Sequence, residues 1–419
     1  MLASALLAYR LGQNWDIPYS DFHFMWVAGD MWHAGLSPYT DEFSRRIAEF
    51  EAIRISEAWY YPPSWFPIAT LIAQTDASTA TRLWRVITII LLLAASALNV
   101  ASFRFLAGNS AILAPSSPIR SMLLSLPFLT LFMLHFGLVG LSQSAEKNIQ
   151  LAQSSALIYF GVSLLVYSLS RAKLITGAIG LALIILKPQL GVAMALVLLF
   201  SALGRKIVFF AALISIAMAT PAFLIASPFE VTADLLHNLS VYGDQVFNTA
   251  IVSTGLRNAV WTLGGSDAGM TFYQLAALCF ILIAALALYI QFRAPPQPLD
   301  LVMLAIVSTL FIASLHYYSF VSFGALVLYC LSLRTASALI CGGAFLMIAR
   351  AGNLPNPPTM HGHDVMAFGG NLYMTIAAGM ILFVLMWNFW RRPTPVTATP
   401  ENSRPSRFSD PGNSQHTEF

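Results

Sequence analysis

Residues 83–105 read LWRVITIILLLAASALNVASFRF, an apolar stretch whose only charged residues, Arg85 and Arg104, lie near its two ends. A helix needs about 20 apolar residues to cross the hydrocarbon core of a bilayer. It must also pair its own backbone N–H and C=O groups, because lipid offers them no partner. The stretch therefore predicts a transmembrane helix.

The same pattern recurs along most of the chain. Stretches of span length lie at 83–105, 121–141, 150–170, 206–226, 271–292, 299–315, 317–333 and 370–390. Shorter apolar stretches lie at 62–73, 174–186, 188–203 and 336–350. Short helices suit a bundle that encloses a cavity, since irregular backbone at membrane depth is stable only where protein buries it. We predict an all-α polytopic membrane protein of about 11–13 transmembrane or partial helices, forming one domain over 1–392.

The composition supports this class. Hydrophobic residues make up 57% of the chain and charged residues only 10%, whereas soluble domains carry about 25% charged residues. The net charge of +3 is small, so nucleic acid is not predicted as a partner. Cys279, Cys330 and Cys341 lie in apolar stretches without metal or redox spacing, which predicts buried thiols and not disulfides.

Lysines and arginines that flank the predicted spans indicate the orientation, because cytoplasmic loops are enriched in both residues. The flanking cations that can share the cytoplasmic side are Arg104, Arg120, Arg171, Lys173, Arg205, Lys206, Arg293, Arg334, Arg391 and Arg392. The outer loops are then 12–61, 227–270 and 351–368. A complete span at 62–73 would place Arg104 on the wrong side, so we predict a re-entrant or half-crossing segment there.

The two ends of the chain differ from the predicted bundle. Met1–Leu11 is apolar but only half as long as a span, which suggests a first helix that is truncated here. Residues 393–419 are rich in Pro, Ser, Asn and Thr, a composition that predicts a disordered cytoplasmic tail.

The first outer loop contains a predicted amphipathic helix at 41–57. Its apolar residues Phe43, Ile47 and Phe50 recur at helical spacing. Its other side can form two i, i+4 ion pairs, Asp41–Arg45 and Glu42–Arg46. We expect this helix to lie along the membrane surface.

Asp21 and Asp30 are the acidic candidates near the start of this loop. Ser20 and Asp21 are favourable helix-start residues, because their side-chain oxygens can accept the amide hydrogens of a first turn. A carboxylate at the membrane boundary can also act as a general base toward a sugar hydroxyl. Asp30 would lie about 180° round the same helix, so one site should not use both. A purely capping role for Asp21 is the alternative.

Lys187-Pro188-Gln189 interrupts a long apolar stretch. An intramembrane lysine is energetically costly and usually faces an anion or a cavity. Its ammonium could hold a phosphate as a point charge. The alternative is a hairpin turn between two short helices, with Lys187 extending toward the lipid headgroups.

Further polar candidates lie in the predicted outer segments. Tyr242 and Arg257 occupy the 227–270 loop, where Tyr242 suits sugar contact and Arg257 could pair with a phosphate. His316-Tyr317-Tyr318 could orient a phosphate or anchor a helix in the interfacial aromatic belt, and the belt is the simpler interpretation. His361-Gly-His363-Asp364 lacks a third separated ligand, so no metal site is predicted.

Several of these motifs together resemble glycosyltransferase family 87. Asp21-Phe followed by aromatic residues, Ala-Gly and Gly35-Leu-Ser-Pro-Tyr39 resembles the family's first outer loop, and Tyr61-Pro62-Pro63 resembles its continuation. Leu151-Ala-Gln153-Ser is similar to a Gly-Gln element, with Ala152 in place of the usual glycine. Ile185-Leu-Lys187-Pro188-Gln189 is similar to a Lys-Pro helix break. Ser319, after His316-Tyr317-Tyr318, departs from relatives that often carry an acidic residue there.

The resemblance implies a GT-C membrane enzyme that takes a sugar, such as mannose, from a polyprenyl-phosphate donor. Asp21 matches the loop carboxylate that serves as catalytic base, and the acceptor would be a lipid or glycan. No cofactor and no metal are implied. The expected location is a bacterial inner membrane, with the active site on the periplasmic or extracellular side.

On this interpretation the sugar is transferred by direct displacement with inversion. Lys187, with Arg257 or His316, would bind the donor phosphate. The predicted substrate contacts are Asp30, Tyr61, Gln153, Gln189 and Tyr242. The alternatives are a transporter or flippase for lipid-linked sugars, and a ligase that moves a whole glycan. Transporters tend to have repeat-related halves with polar residues in both, whereas polar residues here crowd one predicted face.

Overall fold

The computed structural model describes residues 22–50, 58–108, 117–243, 253–264, 298–313, 315–355, 359–360, 363–364 and 370–390, together with residues 249, 282 and 286. Asp21, Cys279 and the predicted tail lie outside the described residues. The described part of the chain is predominantly helical.

The described helices are numbered in chain order. The first eight are α1 (Phe22–His33), α2 (Asp41–Phe50), α3 (Phe66–Ile72), α4 (Ala77–Gly108), α5 (Pro118–Ser125), α6 (Phe128–Gly140), α7 (Gln143–Gln150) and α8 (Ser155–Arg171). The others are α9 (Leu174–Ile185), α10 (Pro188–Leu198), α11 (Ala202–Ile225), α12 (Pro228–Gly243), α13 (Leu256–Gly264), α14 (Pro298–Ile312), α15 (Gly324–Leu331), α16 (Thr335–Ala349) and α17 (Gly370–Trp390). Short 3₁₀ helices lie at Pro63–Trp65, Tyr317–Phe323 and Ala351–Asn353. Two short antiparallel strands are β1 (Thr359–Met360) and β2 (His363–Asp364).

Three described helices, α4, α11 and α17, are long and apolar enough to cross a membrane. α5 and α6 pass the same test together, although they are bent by 116° at the break between them. Several shorter apolar helices of 10–17 residues pack among them. The described part of the chain is therefore that of a predominantly α-helical membrane protein.

The predicted spans agree unevenly with these helices. The stretches 83–105, 206–226 and 370–390 are confirmed as continuous helices. The stretch 121–141 is not one continuous helix, because Pro127 separates α5 from α6 and the residue before a proline avoids helical geometry. The stretch 271–292 lies outside the described residues except for Leu282 and Leu286.

The predicted segment 62–73 forms a 3₁₀ turn and α3. Seven residues of α helix extend only about 10 Å, so α3 is too short to cross a bilayer core of about 30 Å. α3 crosses α1 at very close range, since a Cβ added at Gly29 would lie 2.0 Å from the Ala69 carbonyl oxygen. This tight crossing fixes α1 against α3 and depends on a glycine at position 29.

The apolar side of α2 is buried inside the protein. Phe43 and Ile47 are 0% and 3% exposed, and the Phe43 ring packs 5.8 Å from Phe24 and 5.9 Å from Trp59. The prediction that this side rests on the membrane is therefore wrong, because α1 and Trp59 already cover it. The predicted Glu42–Arg46 ion pair is confirmed at 3.1 Å, whereas Arg45 pairs with Glu42 and not with Asp41.

The bundle has two chemically different ends. At the arginine end, named for Arg104 and Arg171, the guanidinium of Arg104 donates to the Leu126 carbonyl. The Arg171 guanidinium lies 4.5 Å from the Phe105 ring centre. α9 and α11 begin at this end, since a Cβ at Gly177 would contact both Ser168 at the end of α8 and Ile207 near the start of α11. At the other end, the Lys187 end, α9 stops and α10 begins.

Cys330 and Cys341 are both fully buried and unbridged. The prediction of buried thiols is confirmed for these two cysteines.

Candidate functional site

The helix break at Lys187 is the centre of the candidate site. α9 ends at Ile185, and Lys187 adopts an extended conformation with φ −119° and ψ 90°. Pro188 occupies the first turn of α10, where its missing N–H costs nothing. The buried Trp65 indole donates to the Leu186 carbonyl at 2.9 Å. The predicted break is therefore confirmed, and Trp65 holds it in place.

The Lys187 ammonium lies among protein groups at this break. Its Nζ donates to Ser319 Oγ at 2.6 Å and to Ser155 Oγ at 3.2 Å. It also lies 5.2 Å from the centre of the Tyr318 ring, within the range of a cation–π contact. A turn between two short helices is present, as the alternative interpretation expected. The ammonium nevertheless points toward α8 and the segment after His316, so the side chain does not extend to the lipid headgroups.

The Tyr317–Phe323 segment is held from behind by α7. Ser144 Oγ donates to the Tyr317 carbonyl at 2.9 Å, and Asn148 Nδ2 donates to the Tyr318 carbonyl at 2.8 Å. A 3₁₀ helix of this length is uncommon, because its hydrogen bonds are poorly aligned. These contacts place the segment inside the protein, which disfavours the aromatic-belt interpretation.

His316 lies next to this cluster in a neutral state. Its ring centre lies 5.3 Å from that of Tyr318. Burial and the neighbouring Lys187 ammonium lower the pKa of His316 to about 4. At neutral pH the imidazole can therefore donate a hydrogen bond to a phosphate but adds no positive charge.

Gln189 and Tyr61 are also brought to the helix break. The side-chain oxygen of Gln189 is buried and accepts no hydrogen bond from the described residues. The Tyr61 ring packs 5.7 Å from Trp65 and 4.9 Å from Trp59. The Tyr39 hydroxyl donates to the Tyr61 carbonyl at 2.7 Å, which fixes this aromatic layer beside Leu186 and Lys187.

Gln153 lies at the turn between α7 and α8. The turn is a Schellman motif: Gln153 N–H bonds the Asn148 carbonyl at 2.9 Å, and Ala152 N–H bonds the Ile149 carbonyl at 3.3 Å. Ala152 has φ +49°, the left-handed conformation that glycine adopts without strain. This geometry explains why glycine would be usual at the position. The Gln153 carbonyl accepts from the Trp84 indole at 3.3 Å.

Replacement of Ala152 by glycine should stabilise the protein. A left-handed conformation costs a residue with a Cβ about 1–2 kcal/mol, and glycine loses about 0.5–1 kcal/mol more backbone entropy on folding. We expect Ala152→Gly to raise the thermal midpoint of the purified protein, equivalent to about 0.5–1 kcal/mol. Ala172→Gly is the matched comparison. Ala172 has φ +55° at the arginine end, so the same relief of strain should raise the midpoint there too. A lower midpoint for Ala152→Gly would contradict the strain argument.

Of the four remaining predicted site residues, Asp30 and Arg257 are described with their side chains. The Asp30 carboxylate forms an ion pair with Arg46 at 2.7 Å and is not among the groups that contact Lys187. Arg257 follows Thr254, whose N–H bonds the Leu315 carbonyl at 2.6 Å, so its helix α13 begins near His316. The side chain of Tyr242 and the whole of Asp21 lie outside the described residues. Phe22 is the first described residue of α1, so the predicted helix start at Ser20 and Asp21 lies outside the described residues.

Arg85 is a buried cation that the sequence analysis missed. It is 2% exposed, and its Nη2 donates to the Gln150 carbonyl at 3.0 Å. Burial and the Arg85 guanidinium lower the pKa of His23, the second residue of α1. A fixed positive charge thus lies near the helix that Asp21 precedes in the sequence.

The serine partners of Lys187 could not be identified from the sequence, because they lie far from it along the chain. Ser155 and Ser319 contact Lys187 from positions 32 and 132 residues away. No spacing pattern could have paired them. The sequence alone distinguishes Ser319 only as a departure from the family pattern.

Neither a protein-family profile nor a curated protein matches this chain. The resemblance to glycosyltransferase family 87 therefore stays a prediction that depends on the motifs alone. Within the described residues, no group of three His, Cys, Asp or Glu side chains could hold a metal ion. His361 lies outside the described residues.

Proposed function

We propose that this chain is a GT-C membrane glycosyltransferase that transfers a hexose from a polyprenyl-phosphate donor to a lipid or glycan acceptor. The observation that carries the proposal is the position of Lys187. Its ammonium lies between the hydroxyls of Ser155 and Ser319, beside Tyr318. Three motifs that resemble the family, namely the Gly-Gln element, the Lys-Pro break and the His-Tyr-Tyr segment, thereby meet at one end of the bundle.

The groups around Lys187 suit a bound phosphate. The ammonium supplies a positive charge, and serine hydroxyls can donate further hydrogen bonds to phosphate oxygens. α9 and α10 are only 12 and 11 residues long, shorter than the roughly 20 residues of a bilayer span, so the proposal puts the break at Lys187 at membrane depth. A phosphate at this depth leaves its prenyl chain among apolar helices.

The proposal places the Lys187 end on the non-cytoplasmic side. Arg104, Arg171, Lys173 and Arg205 belong to the opposite end of the bundle, and clustered arginines and lysines are typical of cytoplasmic loops. The enzyme would then lie in a bacterial inner membrane and use its donor from the periplasmic side.

The proposed reaction is a single displacement. Asp21 accepts the proton of the acceptor hydroxyl as the oxygen attacks the anomeric carbon. The bond from that carbon to the phosphate oxygen breaks, and both of its electrons leave with the lipid phosphate. Lys187 stabilises the negative charge that develops on this leaving group, while His316 can donate a neutral hydrogen bond. The product has the opposite anomeric configuration.

Donor consumption by the purified protein tests the proposal. The chain in lipid nanodiscs is incubated with a panel of polyprenyl-phosphate hexoses and a mixture of lipid acceptors, and released polyprenyl phosphate is measured. We expect release with one sugar and an inverted linkage by NMR. Transfer only from polyprenyl-diphosphate glycans would favour the ligase. Movement of intact donors across liposome membranes, without release, would favour a flippase.

A further inference from the structure

α12 exposes an apolar side although it packs on the N-terminal part of the protein. Phe229 is 83% exposed and Leu236 is 62% exposed. Leu224, near the end of α11, is 82% exposed. α12 begins only a few residues after α11, one of the three helices long enough to cross a membrane.

The side chains of α12 divide into three arcs. On an ideal helix Leu236 lies about 20° and Ala233 about 40° from Phe229. The polar residues Glu230, Asp234 and His237 lie together on a second arc, about 80–140° from Phe229. Val231 and Asn238 form the third arc and are 2% and 6% exposed. One side of the helix thus faces the protein and one is suited to water. The third side exposes Phe229, Ala233 and Leu236 beside Thr232 and Ser240, whose hydroxyls donate to backbone carbonyls of α12.

α11, the helix that precedes α12, also has an exposed apolar side. Phe209, Leu213 and Ile216 are 58%, 47% and 60% exposed and recur at helical spacing along the candidate span. Such a stripe on a membrane helix faces acyl chains. The stripe reaches Leu224, five residues before Phe229 in the sequence, so α12 directly follows a helix whose exposed side is apolar.

We propose that α12 lies in the membrane interface, with Phe229 and Leu236 inserted at the boundary between headgroups and acyl chains. An amphipathic helix with separate polar and apolar arcs has this preference. The proposal concerns the lipid contact alone and holds whether or not the chain is a glycosyltransferase. It also replaces α2, whose apolar side is buried in protein, as the interfacial helix.

α12 also contacts the N-terminal part of the protein, so its position in the interface should affect that part. Asn238 Nδ2 donates to the Trp59 carbonyl at 3.0 Å and to the Tyr39 carbonyl at 3.3 Å. These two carbonyls flank the aromatic layer that contains Tyr61. The depth at which lipid holds α12 should therefore affect the position of this layer. The layer contacts Trp65, whose indole donates to the Leu186 carbonyl next to Lys187.

Depth-dependent quenching tests the lipid contact. Single cysteines at Phe229 and Leu236 are labelled with an environment-sensitive fluorophore in nanodiscs, and Glu230→Cys and His237→Cys are the matched controls on the polar arc. The unsubstituted protein measures background labelling of the native cysteines. We expect lipid-borne nitroxides to remove most of the fluorescence at Phe229 and Leu236, and aqueous iodide to quench the two controls.

Other quenching patterns would overturn the proposal. Iodide quenching at Phe229 and Leu236 would place the apolar side in water. Protection from both quenchers, with cross-links between copies through Phe229→Cys, would identify a second copy of the chain as the occupant.

Hydrogen exchange tests the link to the N-terminal part. The Phe229→Ser, Leu236→Ser double variant and Asn238→Ala should both speed amide exchange in peptides covering 58–65. Unchanged exchange in the double variant would show that lipid contact does not affect this layer.

Discussion

Lys187→Met should lower kcat/KM for the lipid-linked donor by about 10²- to 10³-fold, the usual effect of removing one preorganised charge-stabilising group. Methionine retains most of the length of the side chain but loses the ammonium that donates to Ser155 and Ser319. The loss should fall on the donor and not on the acceptor, because only the donor carries the phosphate. Initial rates over a matrix of donor and acceptor concentrations separate the two effects.

Lys173→Met is the matched control for this variant. Lys173 immediately precedes α9 at the arginine end, whereas Lys187 follows α9 at the other end, and the Lys173 side chain is exposed. The same substitution there should leave both kinetic constants unchanged. Equal losses for donor and acceptor in Lys187→Met, together with a lower thermal midpoint, would instead indicate that Lys187 stabilises the fold.

Hydropathy predicted the long helices well because each one satisfies a local requirement. Residues 83–105 and 206–226 must form helices in lipid whatever surrounds them. Pro188 likewise begins a helix for a local reason, so the break at Lys187 could be read directly from the sequence. Local chemistry therefore accounts for the class of the fold and for the centre of the candidate site.

Tertiary contacts decided the features that the sequence analysis missed. The apolar side of α2 has the same pattern whether it faces lipid or Phe24 and Trp59, so its burial could not be predicted. Asp30 became an ion-pair partner because the fold of the loop brings Arg46 to it. Ser155 and Ser319 are ordinary hydroxyl residues until the helices place them beside Lys187. A pattern identifies an element and its amphipathicity, but not the surface that covers it.

Asp21→Asn should reduce sugar transfer by about 10³-fold, within the range of general-base contributions. Asparagine has nearly the same shape but cannot accept the proton of the acceptor hydroxyl at neutral pH. It is also among the best helix N-cap residues, so it preserves the start of α1 if Asp21 serves there. The substitution therefore separates proton transfer from capping, the two roles that the sequence allows.

Single-turnover transfer with pre-bound donor measures the chemical step, and thermal stability of the same sample measures the fold. Glu42→Gln is the matched control: it removes a carboxylate from the same N-terminal region and weakens surface ion pairs with Arg45 and Arg46. Surface ion pairs of this kind contribute little to stability, so transfer should continue at the normal rate. If Asp21→Asn turns over normally while Asp21→Ala loses stability, Asp21 is a helix cap, and the base must be sought among other groups near His23 and Arg85.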